Sequence, residues 1–326
     1  MIIKYLSLPE AFLWSILCSI NHKLVPPKRV WYSVRMFHFA SCAKNTDLLL
    51  RISFFVYRLF NTHSSIIRRN EIKSQKLTDL CQGSIIFQDI TNIIPSLKSH
   101  GFAEIGTLSP SSLLDFRKAF DSSTFYEDIE PQYYYLESAS SSKQTGRLFV
   151  DPSVLSRNSV ISNFAREPAL ISLLYRYFGV EPLLYQTNAW KSVAIDSTNP
   201  QEVNIINSLN SRFPHIDFGA LKFLKLFIFL DPVSAKDGPF HIWPGSRHHN
   251  CRYTHDGRYD YDQITGIFGP PIPFTSDSSG SIFIADTSIY HCDGIVSQSG
   301  FRRTVQYEFC LPFIRLTDDK RLNVLL

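Results

Sequence analysis

The stretch FPHIDFGALKF, residues 213–223, places a histidine and an aspartate two positions apart among apolar residues. In a β-strand, side chains at positions i and i+2 point to the same face, so His215 and Asp217 would project side by side. Polar groups of this kind are seldom buried without a partner. The pattern alone fits a buried His–Asp hydrogen bond or a solvent-facing sheet edge as well as a pair of metal ligands. The surrounding sequence has to decide between these interpretations.

The second half of the chain predicts a fold of short antiparallel strands. Apolar segments alternate with Asp-Gly, Pro-Gly, Ser-Gly and Gly-Pro turn signals, which is typical of a sandwich or barrel. Upstream, residues 93–106 predict a short helix, a stop at Gly101 and a strand, and residues 109–123 and 159–179 predict further helices. The predicted strands of the second half cover residues 183–195, 218–233, 238–246, 280–291 and 302–311.

The first quarter of the chain differs in composition from the rest. Residues 1–76 hold 12 Lys and Arg against 3 Asp and Glu, although the 326-residue chain carries a formal charge of only +4. We expect a helical, basic N-terminal extension (1–85) followed by one large domain (86–326). An acidic membrane surface or protein partner explains the basic charge, and a solvated helical face explains it equally well.

The bulk composition also limits the environment and the partners. The six cysteines are scattered without a CxxC pair, which is typical of free thiols in a reducing compartment. The longest early apolar run, residues 11–20, is too short to cross a bilayer. We expect a cytoplasmic protein that acts on a small-molecule substrate and not on nucleic acid. Peripheral membrane contact through residues 1–76 stays open as an alternative to a solvated helical face.

Two further residues complete a metal-site pattern with the His-x-Asp pair. His291 ends the predicted strand 280–291, and Arg302 opens the next strand. Two histidines and one carboxylate on one face of an octahedral ion are the ligands of non-haem Fe(II) oxygenases, because this set leaves positions open for a co-substrate and dioxygen. The planar guanidinium of an arginine matches the distal carboxylate of 2-oxoglutarate in a two-point contact.

Four stretches, in this order, resemble the phytanoyl-CoA dioxygenase family of Fe(II)/2-oxoglutarate-dependent oxygenases. They are similar to the family's opening helix and strand, its first two metal ligands, its Gly-Pro and Pro-Gly-Ser hairpin, and its distal histidine and co-substrate arginine. The resemblance implies a mainly β fold with flanking helices, built on a double-stranded β-helix (jelly-roll, cupin-like) core that follows the helical N-terminal extension. The four stretches are LKSHGFAEIG (97–106), PHIDF (214–218), DGPFHIWPGSRH (237–248) and GSIFIADTSIYHCDGIVSQSGFRR (280–303).

The resemblance implies that the protein uses Fe(II), 2-oxoglutarate as co-substrate, and dioxygen. Matched residue by residue, it also implies which side chains bind the first two. His215, Asp217 and His291 would bind the iron. Arg302 would bind the distal carboxylate of 2-oxoglutarate, whereas its neighbour Arg303 would point to the opposite face of the strand.

Two other pairs of residues bear on co-substrate binding. Gln186 and Asn188 share a strand face and fall where the family often supplies a further co-substrate contact, although local hydrogen bonding explains them equally well. Cys292 and Asp293 depart from the small or hydroxyl residues that commonly follow the family's distal histidine. A carboxylate beside the co-substrate is unfavourable unless it points away.

The resemblance implies hydroxylation of an unactivated C–H bond in a small organic substrate, lipid-like or a secondary metabolite, with release of succinate and carbon dioxide. Desaturation, ring closure and epimerisation use the same ligands, whereas halogenation needs a small residue where Asp217 stands. Two alternatives remain open: a non-catalytic jelly-roll binding module with a relic metal site, and a protein-modifying hydroxylase recruited through the extension. We expect residues 255–274 to form a loop beside the mouth of the site.

Overall fold

The computed structural model describes residues 83–126, 146–179, 181–195, 197–209, 211–217, 223–246 and 258–310. The predicted basic extension, apart from its last three residues, and the predicted membrane contact through residues 1–76 lie outside these ranges. Within them, no helix has both the length and the apolar character that a membrane crossing requires.

The described residues form eleven strands and seven helices. The strands are β1 (Ile85–Phe87), β2 (Phe102–Leu108), β3 (Phe125–Tyr126), β4 (Arg147–Val150), β5 (Leu183–Val193), β6 (Phe223–Phe229), β7 (Phe240–Ile242), β8 (Ile272–Pro273), β9 (Ser281–Ala285), β10 (His291–Asp293) and β11 (Phe301–Cys310). The helices are α1 (Ile93–His100), α2 (Pro110–Asp121), α3 (Pro152–Arg157), α4 (Ser159–Phe164), α5 (Pro168–Phe178), α6 (Pro200–Leu209) and α7 (Tyr261–Phe268).

The strands pair into two antiparallel sheets. The large sheet has eight strands in the order β1-β2-β9-β6-β11-β5-β4-β3, and the small sheet has three in the order β10-β7-β8. Side chains from both sheets share one apolar cluster, with Phe227 of the large sheet and Phe240 of the small sheet 4.7 Å apart between ring centroids. Two sheets packed face to face, with helices outside, confirm the predicted jelly-roll core.

Side chains alternate between the two faces of the large sheet. Along β6, Leu224, Leu226 and Ile228 belong to the cluster under the helices, whereas Phe227 and Phe229 face the small sheet. Successive residues of a strand point to opposite faces, so a strand covered on both sides is apolar throughout. The alternation also places Lys225 on the inner face, between the sheets, which bears on the site described below.

The helices that cover the outer face begin and end at local sequence signals. Ser109 caps α2 by accepting a hydrogen bond from the Ser112 amide, and Asn158 caps α4 by accepting one from the Val160 amide. Helix α1 ends at Gly101, whose φ of 84° lies in the left-handed region that favours glycine. These helices and α5 fall within the predicted ranges.

Two sequence predictions are wrong in detail. The single strand predicted at 280–291 is broken at Asp286, whose carboxylate accepts hydrogen bonds from the amide and hydroxyl of Ser288. This Asx turn ends β9 and lets the chain cross to the small sheet, where His291 begins β10. The loop predicted at 255–274 contains helix α7, which Asp260 caps by accepting a hydrogen bond from the Gln263 amide.

Candidate metal centre

The three predicted ligands come together next to the start of β10, in the small sheet. His215 forms an isolated antiparallel bridge with His291, in which each amide donates to the other's carbonyl at 3.0 Å. The Asp217 amide donates to the carbonyl of Thr287 at 2.9 Å. His215 and Asp217 therefore lie just before the predicted strand 218–233 and are fixed by backbone bonds to the turn and strand that carry His291.

The ligand atoms of these three residues lie close enough to share one ion. One atom from each of His215, Asp217 and His291 lies within 4.8 Å of the other two. The Nε2 atom of His291 is 3.3 Å from Asp217 Oδ2, and that of His215 is 3.9 Å from Asp217 Oδ1. Metal–nitrogen and metal–oxygen bonds of about 2.0–2.2 Å fit a separation of this size.

Both imidazole rings have the tautomer that a metal ligand requires. The Nδ1 atom of His215 lies 2.9 Å from the Phe213 carbonyl, and that of His291 lies 2.9 Å from the Ile289 carbonyl. Because a carbonyl can only accept, each Nδ1 donates a proton, and Nε2 is the ring nitrogen that remains to bind a metal ion. Burial, and then the neighbouring His291, lower the pKa of His215 well below its ordinary value, so its ring stays neutral.

The donor set therefore fits a divalent ion of the iron class. Two neutral imidazoles and one carboxylate are the ligands of the non-haem Fe(II) centres, and they leave the remaining octahedral positions for other molecules. Phe240 covers one side of the centre, with its ring stacked at 5.3 Å on that of His291. This aromatic wall limits the access of water to the ligands.

Lys225 adds a cation directly beside the metal ligands. Its ammonium nitrogen lies 2.7 Å from Asp217 Oδ2 and 3.4 Å from Glu308 Oε1. Burial alone would lower the pKa of Lys225, but the two carboxylates outweigh it and raise that pKa. Burial raises the pKa of Asp217, but the adjacent Lys225 ammonium is the largest of the effects that outweigh burial and hold that pKa well below its ordinary value. The Asp217 carboxylate is therefore ionised, as a metal ligand must be.

A cavity of about 190 Å³ is lined by His215 and His291 and by several polar side chains. Gln186 and Asn188 both line it, on the shared face that the sequence predicted. The Gln186 side-chain amide donates to Asn188 Oδ1 at 3.0 Å, and the Asn188 amide donates to Gln306 Oε1 at 3.2 Å. These amides form a hydrogen-bonded row across β5 and β11, and their role in co-substrate binding remains a prediction.

Arg302 is buried within the molecule and paired with a carboxylate. Its side chain is 1% exposed, its Nη2 lies 3.0 Å from Asp293 Oδ1, and its Nη1 donates to the Gly238 carbonyl. Asp293 therefore does not point away from the predicted co-substrate arginine but binds it. Arg303 lies on the opposite face of β11, as predicted, where its Nη2 pairs with Asp231 at 2.7 Å.

Sequence reasoning missed Arg147, which also pairs with Asp293. Arg147 lies in β4, in a segment for which no element was predicted, and it lines the cavity. Its guanidinium carbon lies 5.0 Å from the centroid of the Trp190 ring. The only sequence signal for Arg147 was an arginine beside a short apolar run, RLFV (147–150). Its partners could not be predicted because they come from strands far along the chain.

Comparisons with known proteins identify the fold. No protein-family model and no curated protein sequence matches the chain. The chain is similar in structure to HygX from Streptomyces hygroscopicus, solved with nickel, 2-oxoglutarate and hygromycin B bound, at 12% identity and a TM-score of 0.50, with 70% of this chain and 90% of HygX covered. It is also similar to the epimerase SnoN, solved with Fe3+, alpha ketoglutarate and nogalamycin RO, at 14% identity and a TM-score of 0.50, with 68% and 83% covered. The chain thus has the fold of proteins whose structures hold a metal ion and 2-oxoglutarate.

Proposed function

We propose that this protein is an Fe(II)- and 2-oxoglutarate-dependent oxygenase of the phytanoyl-CoA dioxygenase family. The observation that carries the proposal is the convergence of His215, Asp217 and His291 to within 4.8 Å, with Nδ1 of both rings bonded to a carbonyl and Nε2 left to bind an ion. The shared fold with HygX and SnoN supports the proposal, since both structures hold a metal ion and 2-oxoglutarate.

The proposed reaction is hydroxylation of a C–H bond in a small organic substrate. The bound ion would supply the redox chemistry that couples dioxygen to the conversion of 2-oxoglutarate into succinate and carbon dioxide. Asp217 supplies the negative ligand, and Lys225 at 2.7 Å keeps this carboxylate ionised when the ion is absent. SnoN, which has a similar fold, is an epimerase, so epimerisation is a second candidate outcome, and the position of the substrate decides between the two.

The residues around the centre would orient the two organic molecules. The aromatic rings of Phe227, Phe240 and Trp190 and the amides of Gln186 and Asn188 line the cavity. Apolar walls exclude water from the reacting atoms, and a few polar groups fix orientation. The two amides would therefore bind polar groups of a substrate or co-substrate.

The test is the release of carbon dioxide from carboxyl-labelled 2-oxoglutarate by the purified full chain with Fe(II) in air. We expect slow release without added substrate, its loss in Asp217→Ala, and its retention in Asp115→Ala, a matched control on the exposed face of α2. Release that survives Asp217→Ala would contradict the proposal. Complete absence of release from the wild type, under a panel of substrates, would favour the non-catalytic binding module.

A further inference from the structure

The register of the large sheet brings two arginines to one face. Ser192 of β5 is the partner of Arg147 in β4 on one side and of Arg302 in β11 on the other. Directly paired residues of antiparallel strands point to the same face. Arg147 and Arg302 therefore stand in one row across three strands, and both side chains extend toward the space between the sheets.

A single carboxylate lies between these two arginines. Asp293, at the end of β10 in the small sheet, contacts Arg302 through Oδ1 and Arg147 through Oδ2. Its two oxygens thus join a guanidinium of β4 and a guanidinium of β11 in one bridge. A third arginine, Arg212, is 8% exposed and adds to the positive charge around Asp293.

The three groups differ in their access to the cavity beside the metal ligands. Asp293 and Arg147 line the cavity, whereas Arg302 is 1% exposed and lies behind Asp293. Asp293 Oδ1 therefore occupies the Arg302 Nη2 group that the carboxylate of a dicarboxylic 2-oxoacid would otherwise use. An arriving carboxylate meets Arg147 first.

We propose that Arg147, and not Arg302 alone, binds the distal carboxylate of the 2-oxoacid co-substrate, and that Asp293 competes with this carboxylate for both arginines. This inference rests on the proposed function and deepens it by naming two residues that set the co-substrate's affinity.

The surroundings of Arg147 support this role. The guanidinium carbon lies 5.0 Å from the Trp190 ring centroid and 5.7 Å from that of Phe149, so aromatic rings fix the position of the charged group. A held, planar guanidinium is suited to two-point binding of a carboxylate. The Asp293 carboxylate already occupies part of the site. It lowers the affinity for the 2-oxoacid because two negative charges that bind the same arginines repel each other.

The experiment compares two ligands by anaerobic calorimetry on the full chain loaded with Mn(II), a redox-silent substitute for Fe(II). The first ligand is 2-oxoglutarate, and the second is 2-oxopentanoate, which keeps the oxoacid head but ends in a methyl group. We expect Arg147→Gln to weaken 2-oxoglutarate binding about tenfold or more, because a charge-assisted hydrogen bond is lost. The same substitution should leave the affinity for 2-oxopentanoate unchanged within about twofold. Arg157→Gln, at an exposed position in α3, is the matched control.

Asp293→Asn provides a second variant with an effect of opposite sign. Removal of the competing charge should tighten 2-oxoglutarate binding several-fold, whereas a purely structural role for Asp293 would weaken it. The inference is overturned if Arg147→Gln leaves 2-oxoglutarate affinity unchanged, or weakens both ligands equally. In either case the wild type still binds 2-oxoglutarate, so the proposed function survives. A wild type that binds Mn(II) but not 2-oxoglutarate would overturn both.

Discussion

Lys225 lies between two carboxylates, and its replacement by methionine tests whether it shares Asp217 with a metal ion. Methionine keeps most of the apolar stem and removes the ammonium that lies 2.7 Å from Asp217 and 3.4 Å from Glu308. Side-chain exposure is 15% for Lys225, 21% for Asp217 and 8% for Glu308, so most of the charge that loses its partner is buried.

The size of the effect follows from this burial. Removal of one partner from a buried ion pair costs roughly 3–5 kcal/mol. Because Asp217 keeps some contact with solvent, we expect Lys225→Met to lower the free energy of unfolding by about 3 kcal/mol without metal. A bound divalent ion neutralises Asp217, so only the loss of the longer 3.4 Å contact with Glu308 remains, and the cost should fall to about 1 kcal/mol.

The assay is urea unfolding of wild type and variant, each with EDTA and with saturating Mn(II). The metal should stabilise Lys225→Met about 2 kcal/mol more than it stabilises the wild type. Lys118→Met, on the exposed side of α2, is the control and should show no such difference. An equal loss with and without metal would refute the reasoning, because Lys225 and the ion would then not act on the same carboxylate.

Three further predictions concern the scaffold. Asp237 accepts three hydrogen bonds among the described groups, and these lower its pKa although burial raises it. The ionised carboxylate therefore stabilises the fold above the unfolded-state pKa of about 3.9, and this stabilisation is lost as the pH falls through the lower folded-state pKa. Asp237→Asn should lower the free energy of unfolding, measured in urea, by about 1–2 kcal/mol at pH 7 and by progressively less toward pH 3. Ser246→Ala removes the hydroxyl that accepts from the Tyr290 amide at 2.8 Å and should accelerate hydrogen exchange there at a cost of about 1–3 kcal/mol. Gly238→Ala places a Cβ 2.6 Å from the Gly294 carbonyl at a φ of +64° and should lower the melting temperature, with a loss of about 1 kcal/mol or more. A cost of Asp237→Asn that does not change with pH would contradict the first assignment. Unchanged stability of Ser246→Ala or of Gly238→Ala would contradict the other two.

The ligand set was predictable because it depends on residue type and order. His215, Asp217 and His291 were identified from their spacing and their resemblance to a family pattern, and the structure brings them together. The predicted geometry was wrong at one point: the segment before His291 turns at Asp286 and is not one strand. The His-x-Asp pair is held by a backbone bridge, which the sequence did not indicate. A turn of this kind depends on one side chain in an apolar run, which periodicity alone does not reveal.

The environment of the ligand set was less predictable because it depends on register between distant strands. Lys225 reaches Asp217 only because β6 alternates its faces. Arg147 reaches Asp293 because β4 pairs with β5 at Ser192, 45 positions along the chain. The sequence showed that Asp293 departs from the family pattern, but only the structure shows that it binds the arginines.

The central claim is that three side chains hold one divalent ion, and a direct measurement is calorimetric titration of the metal-free chain with Mn(II). The account predicts one ion per chain for the wild type and for His100→Ala, an exposed histidine at the end of α1. His291→Ala, which removes an Nε2 that lies 3.3 Å from Asp217, should weaken binding by about a hundredfold or more. Equal Mn(II) affinity in His291→Ala and the wild type would contradict the account.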